Sequence, residues 1–365
     1  MTKHRYIISG GGTGGHIYPA VAIAEELKQR FPDAEFLFVG AKGKMEMEKI
    51  PKLGYTIKGL WISGIQRKFD LKNILFPIKL IFSLLHSVVI VLKFKPSMAI
   101  GTGGFASAAV LKAASWVGIP TLIQEQNSYA GITNKWLASG AKSICVAYEN
   151  METYFPVSKI KLTGNPIRLT LLNQNLTAEE AKQKLDLCHE KQTLFVVGGS
   201  LGSQRINELI AQKLKWFQAH NIQVIWQTGQ LYYDRYKNLA TQDIKVMKYI
   251  EDMNLTYAAS DFIISRAGAG SVSELALVGK PVLFIPSPNV AENHQVKNAE
   301  SIVSKQAALV LEEHEIDEKF EKLMDKLISD IALQKELGEN FKMLGKPHAT
   351  KEIVDEIIKI EKPES

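Results

Sequence analysis

Gly10-Gly11-Gly12-Thr13-Gly14-Gly15-His16 is the first stretch whose residue types and spacing could do chemistry. Glycines at a strand-to-helix turn let the backbone approach a phosphate, and the helix that follows offers unpaired N–H groups to it. Gly10, Gly12 and Gly15 satisfy the dinucleotide spacing, but that fingerprint also needs an acid near the end of the second strand for the ribose hydroxyls. Here that strand runs into Gly40-Ala41-Lys42-Gly43-Lys44, without a carboxylate. The dinucleotide reading weakens. His16 follows directly on the glycines, where the positive end of a helix favours a neutral imidazole able to accept a proton. A turn that serves only packing, with a histidine that is merely exposed, is the plainer alternative.

Three more stretches invite the same reading: Gly101-Thr102-Gly103-Gly104, Gly198-Gly199-Ser200-Leu201-Gly202-Ser203 and Arg266-Ala267-Gly268-Ala269-Gly270. After the last of these, Ser271-Val272-Ser273-Glu274 has the form of a capping box, with Ser271 as the cap and Glu274 reaching back. Capping explains both residues without a ligand, and spacing alone favours it. The alternative puts Glu274 on a ribose and Ser271 on phosphate. There is no Asp-X-Asp pair and no His or Cys cluster with metal spacing, so a nucleotide diphosphate is expected to be neutralised by helix ends and basic side chains, with no metal and no cofactor.

The elements that must hold these turns are strands alternating with helices. Tyr6–Ser9, Phe36–Val39, Ser97–Ile100 and Pro120–Ile123 read as buried strands, with a helix at Pro19–Arg30. The pattern restarts with Thr193–Val197, Val224–Gln227, Phe262–Ser265 and Pro281–Ile285, with a helix from about Ser271. Apolar β-branched runs between helical patterns predict parallel sheets covered on both faces. Every glycine turn then falls at the carboxyl end of a strand, the edge where open α/β sheets bind ligands. Leu162-Thr163-Gly164-Asn165-Pro166 is the expected linker. The reading is two doubly wound α/β domains, 1–163 and 164–345. The charged tail, Glu336–Glu361, reads as helical, and residues 346–365 pack either on their own domain or back on the first.

The chain has 365 residues, 46% of them hydrophobic, and a net charge of +6, enough apolar material for two cores. The mild basicity suits anionic substrates or an anionic membrane surface. No basic stripe interleaved with aromatics is present, so nucleic acid is not an expected partner. Cys145 and Cys188 match no redox or metal spacing, and Met1–Arg5 leads straight into a strand without the apolar core of a signal peptide. A cytoplasmic protein with inert thiols is expected.

One stretch stands apart. From Lys72 to Lys95, Ile74, Ile78, Ile81, Leu85, Val89 and Leu92 form one helical stripe, and Arg67, Lys68, Lys72, Lys79, Lys93 and Lys95 gather around it. A buried core helix is the bland reading. The basic flanks fit better a surface that dips into anionic lipid, and a true span is disfavoured inside an α/β domain.

Taken together, the motifs resemble the MurG family of bacterial peptidoglycan N-acetylglucosaminyltransferases, nearly end to end. The resemblance rests on residues 11–16, Gly101-Thr102-Gly103-Gly104-Phe105, Glu125-Gln126-Asn127, Asn134-Lys135-Trp136-Leu137-Ala138 and Gly164-Asn165-Pro166-Ile167-Arg168. Further along it rests on Gly198-Gly199-Ser200, residues 266–274, and Gln295 with Asn298-Ala299. It implies a GT-B fold, two Rossmann-like doubly wound domains facing across a cleft. The implied donor is UDP-N-acetylglucosamine (UDP-GlcNAc), and the acceptor is undecaprenyl-pyrophosphoryl-N-acetylmuramoyl-pentapeptide. The reaction would be an inverting transfer at the cytoplasmic face of the inner membrane, in company with other proteins of cell-wall synthesis.

Carried over by position, Thr13, Gly14, Gly15, Asn127 and Arg168 are implied donor contacts, and Ser200 touches the diphosphate. Ile250 holds uracil through its backbone. Ala269, Gly270, Ser271, Val272, Ser273 and Glu274 cradle phosphate and ribose, Glu274 then serving as cap and ribose acceptor at once, and Gln295 contacts the sugar. His16 is the first choice for the base, with Glu125 second. Leu201 stands where the family commonly has Gln, Phe105 where it has Tyr, and Gln124 where a His is frequent, which removes that His as an alternative base. Three other readings compete: a glycolipid transferase with an acceptor such as diacylglycerol, a nucleotide-sugar epimerase, and a non-catalytic sugar-nucleotide sensor.

Overall fold

A computed structural model describes residues 4–64, 75–167, 176–199, 201–290 and 293–362. The chain divides into two compact units, Met1–Ile167 with Pro347–Ser365, and Arg168–Lys346. The first unit contains β1 (Arg5–Gly10), α1 (Gly14–Arg30), β2 (Glu35–Ala41), α2 (Glu46–Lys52), β3 (Thr56–Leu60) and α3 (Phe76–Phe94). It continues with β4 (Met98–Gly103), α4 (Phe105–Trp116), β5 (Thr121–Glu125), α5 (Ile132–Leu137), β6 (Ser143–Val146) and β7 (Ile160–Leu162). The strands pair in parallel in the order β3-β2-β1-β4-β5-β6-β7.

The second unit contains α6 (Ala178–Lys184), β8 (Gln192–Val197), α7 (Gln204–Ala219), β9 (Ile222–Gln227), α8 (Tyr233–Tyr236), β10 (Ile244–Met247) and α9 (Met253–Ala259). After these come β11 (Phe262–Ser265), α10 (Ala269–Val278), β12 (Val282–Phe284), α11 (His294–Val303), β13 (Leu309–Val310), α12 (Ile316–Ser329) and α13 (Ile331–Met343). Its sheet is also parallel, in the order β10-β9-β8-β11-β12-β13. Each unit thus repeats the 3-2-1-4-5 winding of nucleotide-binding folds. The order reverses between β1 and β4 in one sheet and between β8 and β11 in the other. Ligands bind at such switch points, outside the carboxyl ends of the strands.

The central strands are apolar on both faces because both are covered. In β1, Tyr6 and Ile8 pack in one core layer with Ile17 and Ile23 of α1, and Ile7 packs in the opposite layer with Ala109 and Val110 of α4. The first of these layers is completed from the far end of the chain. Helix α14 (Ala349–Glu361) inserts Ile353, Val354 and Ile357 there, and the Tyr6 hydroxyl donates to Glu361 Oε2 at 2.8 Å. Burial, and after it the Glu361 carboxylate, holds the Tyr6 phenol well above its ordinary range. The charged tail is two helices with a break at Gly345-Lys346-Pro347, where the proline has no N–H to carry a helix forward.

The helix expected from Pro19 begins five residues earlier, at Gly14, with Pro19 inside it. The i+4 donor to Gly15 C=O is therefore missing, and Thr102 Oγ1 donates to the neighbouring His16 carbonyl at 2.7 Å. Cys145 is buried, and burial first and Glu356 next push its thiol up to about 12, whereas Cys188 is exposed. A thiol reagent is expected to modify Cys188 alone in the native chain and Cys145 only after denaturation. Mass spectrometry of the alkylated protein checks this, and rapid native labelling at Cys145 counts against the packing described.

Candidate active site

In the first unit the glycine turn after β1 is held from several sides. Gly11 N–H donates to Gly103 O at 3.3 Å. Gly12 N–H donates to Glu46 Oε2 at 2.9 Å. A Cβ on Gly104 would stand 2.5 Å from Gly11 O, so the turns after β1 and β4 approach as closely as backbones allow. Thr13 and Gly15 are exposed, and Gly14 and His16 half-exposed, at the first turn of α1.

His16 Nδ1 lies 2.9 Å from Gly11 O. A carbonyl can only accept, so Nδ1 is the donor, and in the neutral ring that leaves the lone pair on Nε2. A Cβ on Gly103 would stand 2.9 Å from Nε2, so the glycine there gives the ring its room. Geometry thus equips His16 to take a proton. Glu125 is placed differently. It is buried, its Oε1 accepts from Asn127 N at 3.0 Å and Asn127 Nδ2 at 3.3 Å, and its Oε2 accepts from Gly131 N at 3.0 Å and Asn134 Nδ2 at 2.8 Å. Four donors converge on one carboxylate, which pins the loop bearing Asn127. Gln124, at the position where a histidine is frequent, donates to Asn165 Oδ1 at 2.9 Å, and Asn165 Nδ2 donates to Gln126 O at 3.0 Å. The Glu125-Gln126-Asn127 and Gly164-Asn165-Pro166 motifs are one buried network.

In the second unit, α10 starts at Ala269 with Gly268 as N-cap and no side-chain cap. The expected capping box is not there. Ser271 is the third helical residue, because Gly268 in extended conformation already turns the chain and Val272 N–H bonds to its carbonyl. The first turn holds no acidic residue, and the positive end of a helix favours an anion. Ala269, Gly270, Ser271, Val272, Ser273 and Glu274 all belong to this helix. Burial, and then Glu274, raises the Tyr257 phenol well above its ordinary range, which places the Glu274 carboxylate within electrostatic reach of that buried ring.

Ile250 N–H donates to Gln227 Oε1 at 2.9 Å, and Gln227 Nε2 donates to Gly199 O at 3.2 Å. Gln227, which no motif singled out, therefore ties Ile250 to the glycine turn after β8. Gln295 Oε1 accepts from Ser287 N at 2.9 Å. It lines a cavity of about 520 Å³ with Gly198, Gly202, Ser287 and Arg266, within the range usual for small-molecule sites. Arg266 Nη2 donates to Ser203 Oγ at 2.6 Å, Nη1 donates to Ile285 O at 2.9 Å, and the guanidinium pairs with Glu313. Burial lowers its pKa from the usual arginine value. Its donors are occupied in shaping the cavity. Arg168 and Ser200 lie outside the described residues. Among the described residues no group of three or more His, Cys, Asp or Glu could hold a metal ion.

Two doubly wound domains with glycine turns at their switch points give the two-domain architecture of GT-B proteins. Residues 6–146 match the glycosyltransferase family 28 N-terminal domain and residues 193–355 the family 28 C-terminal domain. A protein of Flavobacterium psychrophilum named UDP-N-acetylglucosamine--N-acetylmuramyl-(pentapeptide) pyrophosphoryl-undecaprenol N-acetylglucosamine transferase is 56% identical, over 99% of this chain and 98% of its own length. The chain belongs to glycosyltransferase family 28, among the transferases of that name. The crystal structure of Acinetobacter baumannii MurG is 28% identical, with a TM-score of 0.77 over 98% of this chain and 99% of that one. A UDP-GlcNAc 2-epimerase from Neisseria meningitidis is 14% identical with a TM-score of 0.66, over 98% of this chain and 100% of that one. That likeness is of fold alone.

Proposed function

We propose that this chain transfers N-acetylglucosamine from UDP-GlcNAc to the C4 hydroxyl of undecaprenyl-pyrophosphoryl-N-acetylmuramoyl-pentapeptide, with inversion at the sugar carbon. The observation that carries this is the 56% identity with the F. psychrophilum transferase over 99% of the chain. His16 Nε2 takes the proton of the C4 hydroxyl as its oxygen attacks the anomeric carbon. The bond to the diphosphate breaks, and UDP leaves with the electron pair. The first turn of α10 and the glycine turn after β8 stabilise the charge that grows on the leaving group, and Ser200 is assigned to the diphosphate by its place in the family motif. Ile250 presents its carbonyl to uracil, its N–H being held by Gln227. Gln295 contacts the sugar, and Thr13, Gly14, Gly15, Asn127 and Arg168 complete the donor contacts. Glu125, whose oxygens accept four hydrogen bonds, keeps Asn127 in place and stands second to His16 as base.

Glu274 takes the ribose hydroxyls. A hydrogen bond to a charged group contributes roughly 1.5–3 kcal/mol, so Glu274→Ala is expected to raise the KM for UDP-GlcNAc by roughly 10- to 100-fold. An unchanged donor KM removes the ribose assignment. The function as a whole is tested by supplying labelled UDP-GlcNAc with either the muramoyl lipid or diacylglycerol. Label is expected in the muramoyl lipid, and label in diacylglycerol alone overturns the acceptor.

The enzyme works as a peripheral protein on an anionic membrane, at the cytoplasmic face where the lipid-linked acceptor is presented. Support comes from α3, a 19-residue helix long and apolar enough to cross a membrane, which leaves Ile78, Ile81, Phe82, Leu85, Val89 and Leu92 exposed. Trp61, Trp116 and Trp136 are also exposed in this unit, with Lys79 5.7 Å from the Trp61 ring and Lys112 5.3 Å from that of Trp136. Arg67, Lys68 and Lys72, the basic flank expected on the N-terminal side, lie outside the described residues. Such a face argues against an epimerase, which needs no lipid, and a candidate base beside a donor cradle argues against a non-catalytic sensor.

A further inference from the structure

We propose that Glu46 is a positioning residue that holds His16 in its proton-accepting form through the peptide joining Gly11 to Gly12. The inference rests on the reading of His16 as the base. Glu46 begins α2 and is buried, 1% exposed. Its Oε1 accepts from Ala41 N at 3.0 Å and its Oε2 accepts from Gly12 N at 2.9 Å. The Gly12 N–H and the Gly11 C=O are the two ends of one planar peptide. At the other end, Gly11 O accepts from His16 Nδ1 at 2.9 Å. Carboxylate, peptide and imidazole therefore form a single chain of hydrogen bonds.

Burying a carboxyl group is costly unless it is well bonded, and this one sits in a slot made for it. A Cβ on Gly11 would stand 2.3 Å from Glu46 Oε1, and one on Gly40 would stand 2.5 Å from Glu46 Cγ. Two glycines from different strand ends thus lack side chains where the glutamate needs room. Bonds in such a chain polarise one another. A carboxylate drawing on the N–H makes the carbonyl a better acceptor, which fixes the ring tautomer and leaves Nε2 as the atom that meets the substrate proton. A second carboxylate often does this by touching the histidine directly. Here a backbone peptide stands between them.

The test combines spectra and kinetics on the full-length enzyme. In the wild type, the ¹⁵N resonances of the His16 ring should report a protonated Nδ1 and a bare Nε2. A dominant Nε2–H form overturns the proposal. Glu46→Gln should weaken that preference and lower kcat by roughly 10- to 100-fold, a part of what a general base supplies, while the KM for UDP-GlcNAc stays within about two-fold. In a His16→Ala background the same change should cost nothing further. An equal loss in that background, a KM that moves with kcat, or an unaltered His16 spectrum counts against it. Should His16→Ala turn over normally, the base assignment fails by itself. The His16 spectrum of Glu46→Gln then still decides whether Glu46 governs the ring.

Discussion

Replacing His16 by alanine is expected to lower kcat by roughly 10²- to 10⁴-fold, the usual contribution of a positioned general base. Donor affinity should be retained. The turn carrying His16 does not depend on its ring. Gly11 N–H still reaches Gly103 O, Gly12 N–H still reaches Glu46, and Thr102 Oγ1 still bonds to the residue 16 carbonyl. Loss of the imidazole therefore removes a proton acceptor and leaves the phosphate-ready backbone standing. Single-turnover rates and calorimetric UDP-GlcNAc binding, measured on the same preparation, separate the two effects. Turnover near that of the wild type transfers the role to another group, and Glu125, with four hydrogen bonds already accepted, is a poor heir.

The second large effect is on membrane attachment. Phe82 and Leu85 are 57% and 61% exposed, so their present contacts contribute little to the fold, and about half of each side chain is still to be buried. Full burial of such a side chain is worth about 1.5–3 kcal/mol. Losing the unburied half of both costs about 2–3 kcal/mol in membrane partitioning, or roughly 30- to 150-fold. Aspartates at both positions add repulsion from anionic lipid. Phe82→Asp with Leu85→Asp should thus release the protein from anionic vesicles in a sedimentation assay, with turnover of a water-soluble acceptor unchanged. Undiminished vesicle binding moves the attachment surface elsewhere.

Much of this architecture was legible because the central strands carry their own signal. Phe262–Ser265 reads as a buried strand and is one, and the strand expected at Thr193–Val197 is β8 with one residue added. The edge strands carried none. β3 is a mixed Thr-Ile-Lys-Gly-Leu run with alternate residues exposed, β7 has three residues and β13 two. A strand buried on one side only, or barely longer than a bridge, has no pattern to detect. At α10 the difficulty was competition, since Gly268 and Ser271 are both good N-caps and only the backbone shows which was used.

The least legible parts of the site are contacts made to backbone atoms. The stretch ending the second strand, residues 40–44, holds no acid. The acid stands two residues further on, as Glu46, and turns to a peptide N–H of the glycine turn rather than to a ribose. Gln227 is likewise silent in sequence, because its partners are the Ile250 N–H and the Gly199 carbonyl. Amide and carbonyl groups occur at every residue, so no residue-type pattern marks those that a distant side chain will seek out.

The placement of α14 also bears on how the chain is made. The layer around Tyr6, Ile8 and α1 is sealed by Ile353, Val354 and Ile357, which leave the ribosome only after residues 168–346 have been synthesised. The unit begun before the other is therefore finished after it, and until then it exposes an apolar seam on the nascent chain. Such a seam is a place where chaperones bind and where premature termination does harm. A stop codon between residues 346 and 353 would damage the unit whose first strand is made more than three hundred residues earlier.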